Sequence, residues 1–257
     1  MRDARKKSET PMKRLTTWLS LLGLLAAFGC ALAALGGGLG ARLGWWHYRA
    51  GIATLSNVFW IAAGTAAVCA IAAILCAKGS GSRRALAVAL AGLAIAGVTA
   101  WVPYDLRRQA NAVPPIHDIT TDLADPPRFV STAALRKPGE NPAAYDGPKV
   151  GEQQKAAYPD LGPLVLKQPR SAVFGAAQAA LQSMGLEIVE ADAAQGRIEA
   201  TATSFLFGFK DDVVVRLTDD AGATKVDVRS KSRVGRNDFG MNARRIRAFE
   251  AKLKPGG

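Results

Sequence analysis

Cysteine and histidine are scarce: the 257 residues contain three of one and two of the other. Three thiols cannot build a disulfide scaffold. Acids are scarce as well in the first 110 residues, where only Asp3, Glu9 and Asp105 occur. Three long stretches, 15–35, 52–77 and 85–102, contain no Asp, Glu, Lys, Arg or His at all. Ion and proton paths through a bilayer need ionisable groups, so this absence argues against a pump or transporter and for an anchor. There is also no glycine-rich phosphate loop, no nucleophile elbow and no zinc-binding helix motif, which leaves a nucleotide enzyme, a serine hydrolase triad or a zinc protease without support.

What is present is apolar and basic. Half the chain (49%) is hydrophobic and the mean hydropathy is +0.08, too high for a disordered basic tail. A hydrocarbon core about 30 Å thick takes roughly 20 residues of helix at about 1.5 Å each, so the three uncharged stretches are expected to be transmembrane helices forming a bundle. The first is too long for the apolar core of a cleaved signal peptide. Cys30 follows Ala27-Phe28-Gly29, which lacks the usual leucine of a lipoprotein cleavage site, and reads as a buried thiol. Gly23, Ala27, Gly64, Gly92 and Gly97 are the small residues expected where the helices touch.

The formal charge of +12 invites a nucleic-acid reading. Its distribution removes that reading: residues 1–110 hold 13 Lys and Arg against three acids, while the remainder holds 20 against 18. In the short flanks of the spans, Arg2, Arg5, Lys6, Lys7, Lys13, Arg14, Lys78, Arg83 and Arg84 lie on one side, and Arg42, Arg49, Arg107 and Arg108 on the other. The excess predicts a cytoplasmic N-terminus and a C-terminal domain across the inner membrane, in the periplasm of a bacterium. Trp45, Trp46, Tyr48, Trp101 and Tyr104 then form an outer aromatic belt, with Trp18 at the inner one.

The soluble part divides into a proline-rich stretch over 111–163, expected to run as an extended arm, and a compact domain over 164–257. Periodicity in the latter predicts β-α-β-β-β-β-α: a short strand at Leu164, a helix with the stripe Val173, Ala177, Leu181 and Met184, two hairpins, and a final helix. Phe239, Ile246, Phe249 and Leu253 are its candidate buried positions. The expected architecture is α+β, a two-layer domain with an antiparallel sheet and helices on one face. Lys225, Asp227, Arg229, Lys231 and Arg233 share one face of the last strand, which reads as solvated.

Several phrases together carry a resemblance: Ile116-His117-Asp118-Ile119-Thr120-Thr121-Asp122, then Asp125-Pro126-Pro127 and Phe129, Tyr158-Pro159-Asp160, Phe207-Gly208-Phe209-Lys210-Asp211-Asp212, and Ser230 to Gly240 with Asn242 and Arg245. Over about 116–253 the chain resembles the domain of unknown function 1499 family. The resemblance implies a compact bacterial domain, often attached to membrane spans. It carries over no activity, cofactor or catalytic residue.

The candidate sites therefore come from the residues themselves. His117, Asp118 and Asp122, with Asp125, are the acid/base or metal candidates, weighed against turn formation and ion pairing. One histidine and no cysteine in the soluble part argue against a zinc site, and no metal or cofactor is expected. Arg233 and Arg236 are candidate anion ligands, or partners of Asp118 and Asp122 that pin the arm to the sheet. Phe205, Phe207 and Phe209 are either alternating strand residues or, if exposed, a membrane or partner contact. The leading expectation is a non-enzymatic binding or scaffolding module for an envelope protein or lipid. A metal-assisted or acid/base hydrolase of an envelope substrate is the alternative, and it requires His117, Asp118, Asp122 and an arginine to converge on one pocket.

Overall fold

In the computed structural model, which describes residues 10–254, the three uncharged stretches are helices: α1 (Pro11–Arg42), α2 (Tyr48–Leu75) and α3 (Arg83–Asn111). Each is long and apolar enough to cross a membrane. Arg2, Arg5, Lys6 and Lys7, counted in the N-terminal flank, lie outside the described residues. Pro11 opens α1, where its missing N–H costs nothing. A π-helical turn, Cys76–Ser80, ends the second span, with Gly79 at φ 89°.

The helices meet on small residues. A Cβ on Gly23 would come within 2.6 Å of the Cys69 sulfur, and one on Gly92 within 2.8 Å of the same sulfur and 3.2 Å of the Leu24 backbone. Cys69 is thus the point on which α1, α2 and α3 converge, and Ala27 is fully buried. Gly64 and Gly97, expected at contacts as well, are not: among the described residues a Cβ on either would meet nothing within 4 Å. Spacing alone does not say which face of a uniformly apolar helix turns inward.

The chain parts into two compact units between Arg107 and Arg108. The second contains β1 (Asp118–Thr120), α4 (Ser131–Ala134), α5 (Pro148–Ala157), β2 (Leu164–Leu166), α6 (Arg170–Ser183), β3 (Glu187–Asp192), β4 (Arg197–Thr203), β5 (Lys210–Asp220), β6 (Ala223–Ser232) and α7 (Met241–Leu253). From β2 onward this is the expected order. All pairings are antiparallel, in the sequence β1-β6-β5-β4-β3, with β2 also on β6.

The alternation of the strands makes the core. Ile198, Ala200, Val213, Val215, Leu217, Val226 and Val228 cluster with Val173, Ala177 and Leu181 of α6 and with Ile246, Phe249 and Leu253 of α7. Full burial of each larger side chain contributes about 1.5–3 kcal/mol. Phe239 is the exception among the expected core positions. The Asn237 carboxamide accepts the Phe239 N–H, the Asp238 carboxylate accepts the N–H groups of Gly240 and Asn242, and the chain turns through left-handed Phe239 (φ 56°) and Gly240 (φ 72°). Phe239 is left 38% exposed.

Two expectations about the proline-rich stretch and the last strand fail together. Residues 111–163 supply β1, α4 and α5; the prolines punctuate these elements, and Pro148 opens α5. β1 pairs with residues 229–231 of β6 and β2 with 224–226. Between them Thr121 exchanges hydrogen bonds with Val228, through its N–H and its hydroxyl. The charged face of β6 is consequently not solvated: Asp227 and Lys231 are fully buried, and Arg229 and Arg233 are 2% and 5% exposed.

Candidate functional site

The alternation that sends valines of β6 toward the helices sends Lys225, Asp227, Arg229, Lys231 and Arg233 to the opposite face, where the stretch between β1 and α5 covers them. Buried charge is tolerated only when paired and hydrogen-bonded. Each cation here is.

Arg229 holds Asp118 bidentately, Nε to Oδ1 at 2.8 Å and Nη2 to Oδ2 at 2.9 Å. Its remaining donors reach the carbonyls of Pro127 and Ala143, and its plane lies 4.7 Å from the centroid of Phe129 and 5.4 Å from that of Tyr145. Lys231 Nζ bridges Asp118 at 3.2 Å and Asp146 at 2.6 Å and donates to the Ala144 carbonyl. The Asp146 N–H completes the shell of Asp118. Both oxygens of Asp118 are thus engaged, Oδ1 by Arg229 and Oδ2 by Arg229, Lys231 and the Asp146 N–H.

Neighbouring clusters repeat the pattern. Asp212 is held by Arg233 (Nη2 to Oδ1, 2.8 Å), by Arg136 (2.8 Å) and by the Thr201 hydroxyl (3.0 Å). Burial pulls the Arg136 guanidinium below the usual arginine range, against the attraction of Asp212. Glu199, fully buried on β4, accepts the N–H groups of Val130, Ser131 and Thr132 and the Thr132 hydroxyl. It anchors α4 to the sheet.

The residues singled out from sequence are distributed over these clusters. His117 lies at the edge of the first, with Nε2 3.4 Å from Asp146. Asp122 is elsewhere, in a third cluster: Oδ2 meets Lys225 at 2.9 Å and Arg216 at 3.2 Å, while Oδ1 accepts the N–H groups of Ala124 and Asp125. Arg216 ties this group to Asp125 and Asp227. Burial acts to raise the Asp122 carboxyl, but the Asp125 N–H and Lys225 outweigh it and hold it below the usual carboxylate range. Arg233 pairs with Asp212, and Arg236 is exposed in the turn before α7. Neither arginine is paired with Asp118 or Asp122, so that expected pairing is corrected: Arg229, Lys231, Arg216 and Lys225 take those roles. His117, Asp118, Asp122 and the arginines do not converge on one pocket. No group of three or more His, Cys, Asp or Glu suited to a metal ion occurs among the described residues.

The phenylalanine run is not strand. The Ser204 N–H and hydroxyl bind the Phe209 carbonyl and N–H, the Gly208 N–H donates to the Ser204 carbonyl, and Gly208 turns at φ 67°, closing a loop between β4 and β5. The rings of Phe207 and Phe209 stack with centroids 5.0 Å apart, and Phe205 is 84% exposed.

Sequence reasoning missed Arg229, Lys231, Asp212 and Glu199 as the centres of this face. The signal was the unbroken alternation of charge along β6, which a buried face also produces when a covering segment brings carboxylates. Among curated proteins none matches the chain. Residues 118–253 match the family described as Protein of unknown function (DUF1499), which spans β1 through α7 and includes the charged face and the segment over it. With more than half of its length matched, the chain belongs to this family, its domain preceded by three candidate membrane-spanning helices.

Proposed function

We propose that this is a bacterial inner-membrane protein with a cytoplasmic N-terminus, whose periplasmic domain is a non-enzymatic binding or scaffolding module for an envelope protein or lipid. One observation carries the non-enzymatic part: the carboxylate best suited by sequence to chemistry, Asp118, is buried with both oxygens engaged by Arg229, Lys231 and a backbone N–H. The buried charge joins the covering segment to the sheet and so supports a rigid surface rather than a reaction centre. The Lys and Arg asymmetry of the short flanks supports the orientation.

Two measurements test this reading. Alkaline phosphatase fused after residue 257 is expected to be active, and a green fluorescent protein exported only in unfolded form is expected to be dark there; the reverse pattern would reverse the topology. His117→Ala and Asp122→Asn, expressed at normal levels, are expected to restore a deletion strain. Loss of complementation by a stably folded His117→Ala chain would favour the acid/base hydrolase.

A further inference from the structure

The strand register assigns the loops of the soluble unit to two ends of the sheet. Thr203 opposite Lys210, Asp211 opposite Ser232 and Asp118 opposite Lys231 put the β4–β5 loop, the turn before α7 and the start of β1 at one end. The β3–β4 and β5–β6 turns, next to the Asp192–Arg197 and Asp220–Ala223 pairs, lie at the other. The first end is also where the second unit's own chain arrives: within residues 108–257 the Asn237 side chain donates to the Ala110 carbonyl at 3.0 Å, and the Asp238 N–H donates to the Ile116 carbonyl.

The two ends differ in chemistry. The arriving end exposes Phe205 (84%), Met241 (47%) and Phe239 (38%), interleaved with exposed Arg236 and Arg244. Of the acids there, Asp211 is committed to Arg245 and Asp238 to the N–H groups at the start of α7, while Glu187, at the start of β3, is exposed. The opposite end has exposed Asp219 and Asp220 and, among the described residues, no exposed large apolar side chain in its two turns. Phe239 sharpens the contrast. Bulky residues avoid left-handed backbone, yet two side-chain caps hold Phe239 there with its ring outside the core.

We propose that this end of the domain docks on the bilayer its own chain spans, with Phe205, Phe239 and Met241 in the interfacial region and Arg236 and Arg244 on anionic headgroups. Apolar tips flanked by arginine suit that surface, and the tether from α3 keeps the local lipid concentration high. The inference rests on the three helices being spans and deepens the binding-module reading by naming a lipid surface. It is independent of which side of the membrane the domain occupies.

The test uses the full chain in vesicles of phosphatidylethanolamine and phosphatidylglycerol, with a polarity-sensitive fluorophore on Phe205→Cys, Phe239→Cys or, as the opposite-end control, Asp220→Cys. The three native thiols are buried, and the chain without an added cysteine is the labelling blank. Quenching of the native tryptophans, all within the first 110 residues, by nitroxide-bearing lipid reports insertion of the spans. The expected result is blue-shifted emission at 205 and 239 with several-fold stronger lipid quenching than at 220, reduced by Arg236→Glu with Arg244→Glu and in vesicles of phosphatidylcholine alone. Quenched tryptophans with water-like probes at 205 and 239 would overturn docking while leaving the spans and the module reading in place. Unquenched tryptophans would overturn the spans and docking together. Equal quenching in phosphatidylcholine would overturn the role of headgroup charge.

Discussion

Glu199 has both carboxylate oxygens filled by donors from the start of α4. An amide in its place would turn one acceptor into a donor facing donors. Glu199→Gln is therefore expected to destabilise the soluble unit by about 3 kcal/mol, read by urea unfolding, with loss of hydrogen-exchange protection beginning at residues 130–134. Asp118→Asn leaves Arg229 and Lys231 buried with less compensation, and a loss of about 3–5 kcal/mol is expected from the same measurement. A loss under about 1 kcal/mol would show that the charged face contributes little to holding the covering segment. Asp118 was legible in the sequence as a residue of consequence; its partner was not. Arg229, Lys231 and Arg233 all lie on one face of β6, and only the register, with Asp118 opposite Lys231, decides which of them it meets.

Elements whose stability comes from their own periodicity were readable. The α6 stripe, the two hairpins and the Ile246, Phe249 and Leu253 face of α7 stand as the pattern predicts. β1 and α4 were not, because a three-residue strand and a single helical turn have no period of their own and are held by β6 and Glu199 from outside; α5 buries only Gly151 and Gln154 and so carries no apolar stripe to read. The phenylalanine loop misled for a related reason: four apolar residues look like strand, and the deciding feature is Ser204 reaching across to Phe209. At this scale Gly196 is a sharp test. It closes the β3–β4 hairpin at φ 66°, and a Cβ there would collide with the Leu217 carbonyl oxygen. Gly196→Ala is expected to cost about 1–3 kcal/mol in urea unfolding. In the membrane unit, Gly92→Leu would drive side-chain atoms against Cys69 and Leu24, and thermal aggregation in detergent is expected to begin at lower temperature than for Gly64→Leu, which meets open space.

For the whole molecule, two sets of carboxyls respond to pH in opposite senses. Burial, partly offset by backbone N–H groups, raises Asp238, and burial raises Glu250. A raised folded-state value means that the folded form holds a proton the unfolded form has lost, so this contribution falls as pH rises through the raised value. Asp122 is lowered; the stability it brings is present above the ordinary aspartate value of about 4 and is lost as pH falls through the depressed one. Stability of the soluble unit is therefore expected to peak on the acidic side of neutrality and to fall below pH about 4, with Asp122→Asn flattening the acid limb of a stability-against-pH series. The edge of β6 has a further consequence, in the order of folding. Its two short partners come from residues 118–120 and 164–166, while β6 itself spans 223–232. Neither can pair until synthesis has passed β6, and such distant closures are slow. If the domain is exported, its first fifty-odd residues emerge without a template and wait, which makes them the part of the nascent protein most exposed to proteases and to holding chaperones.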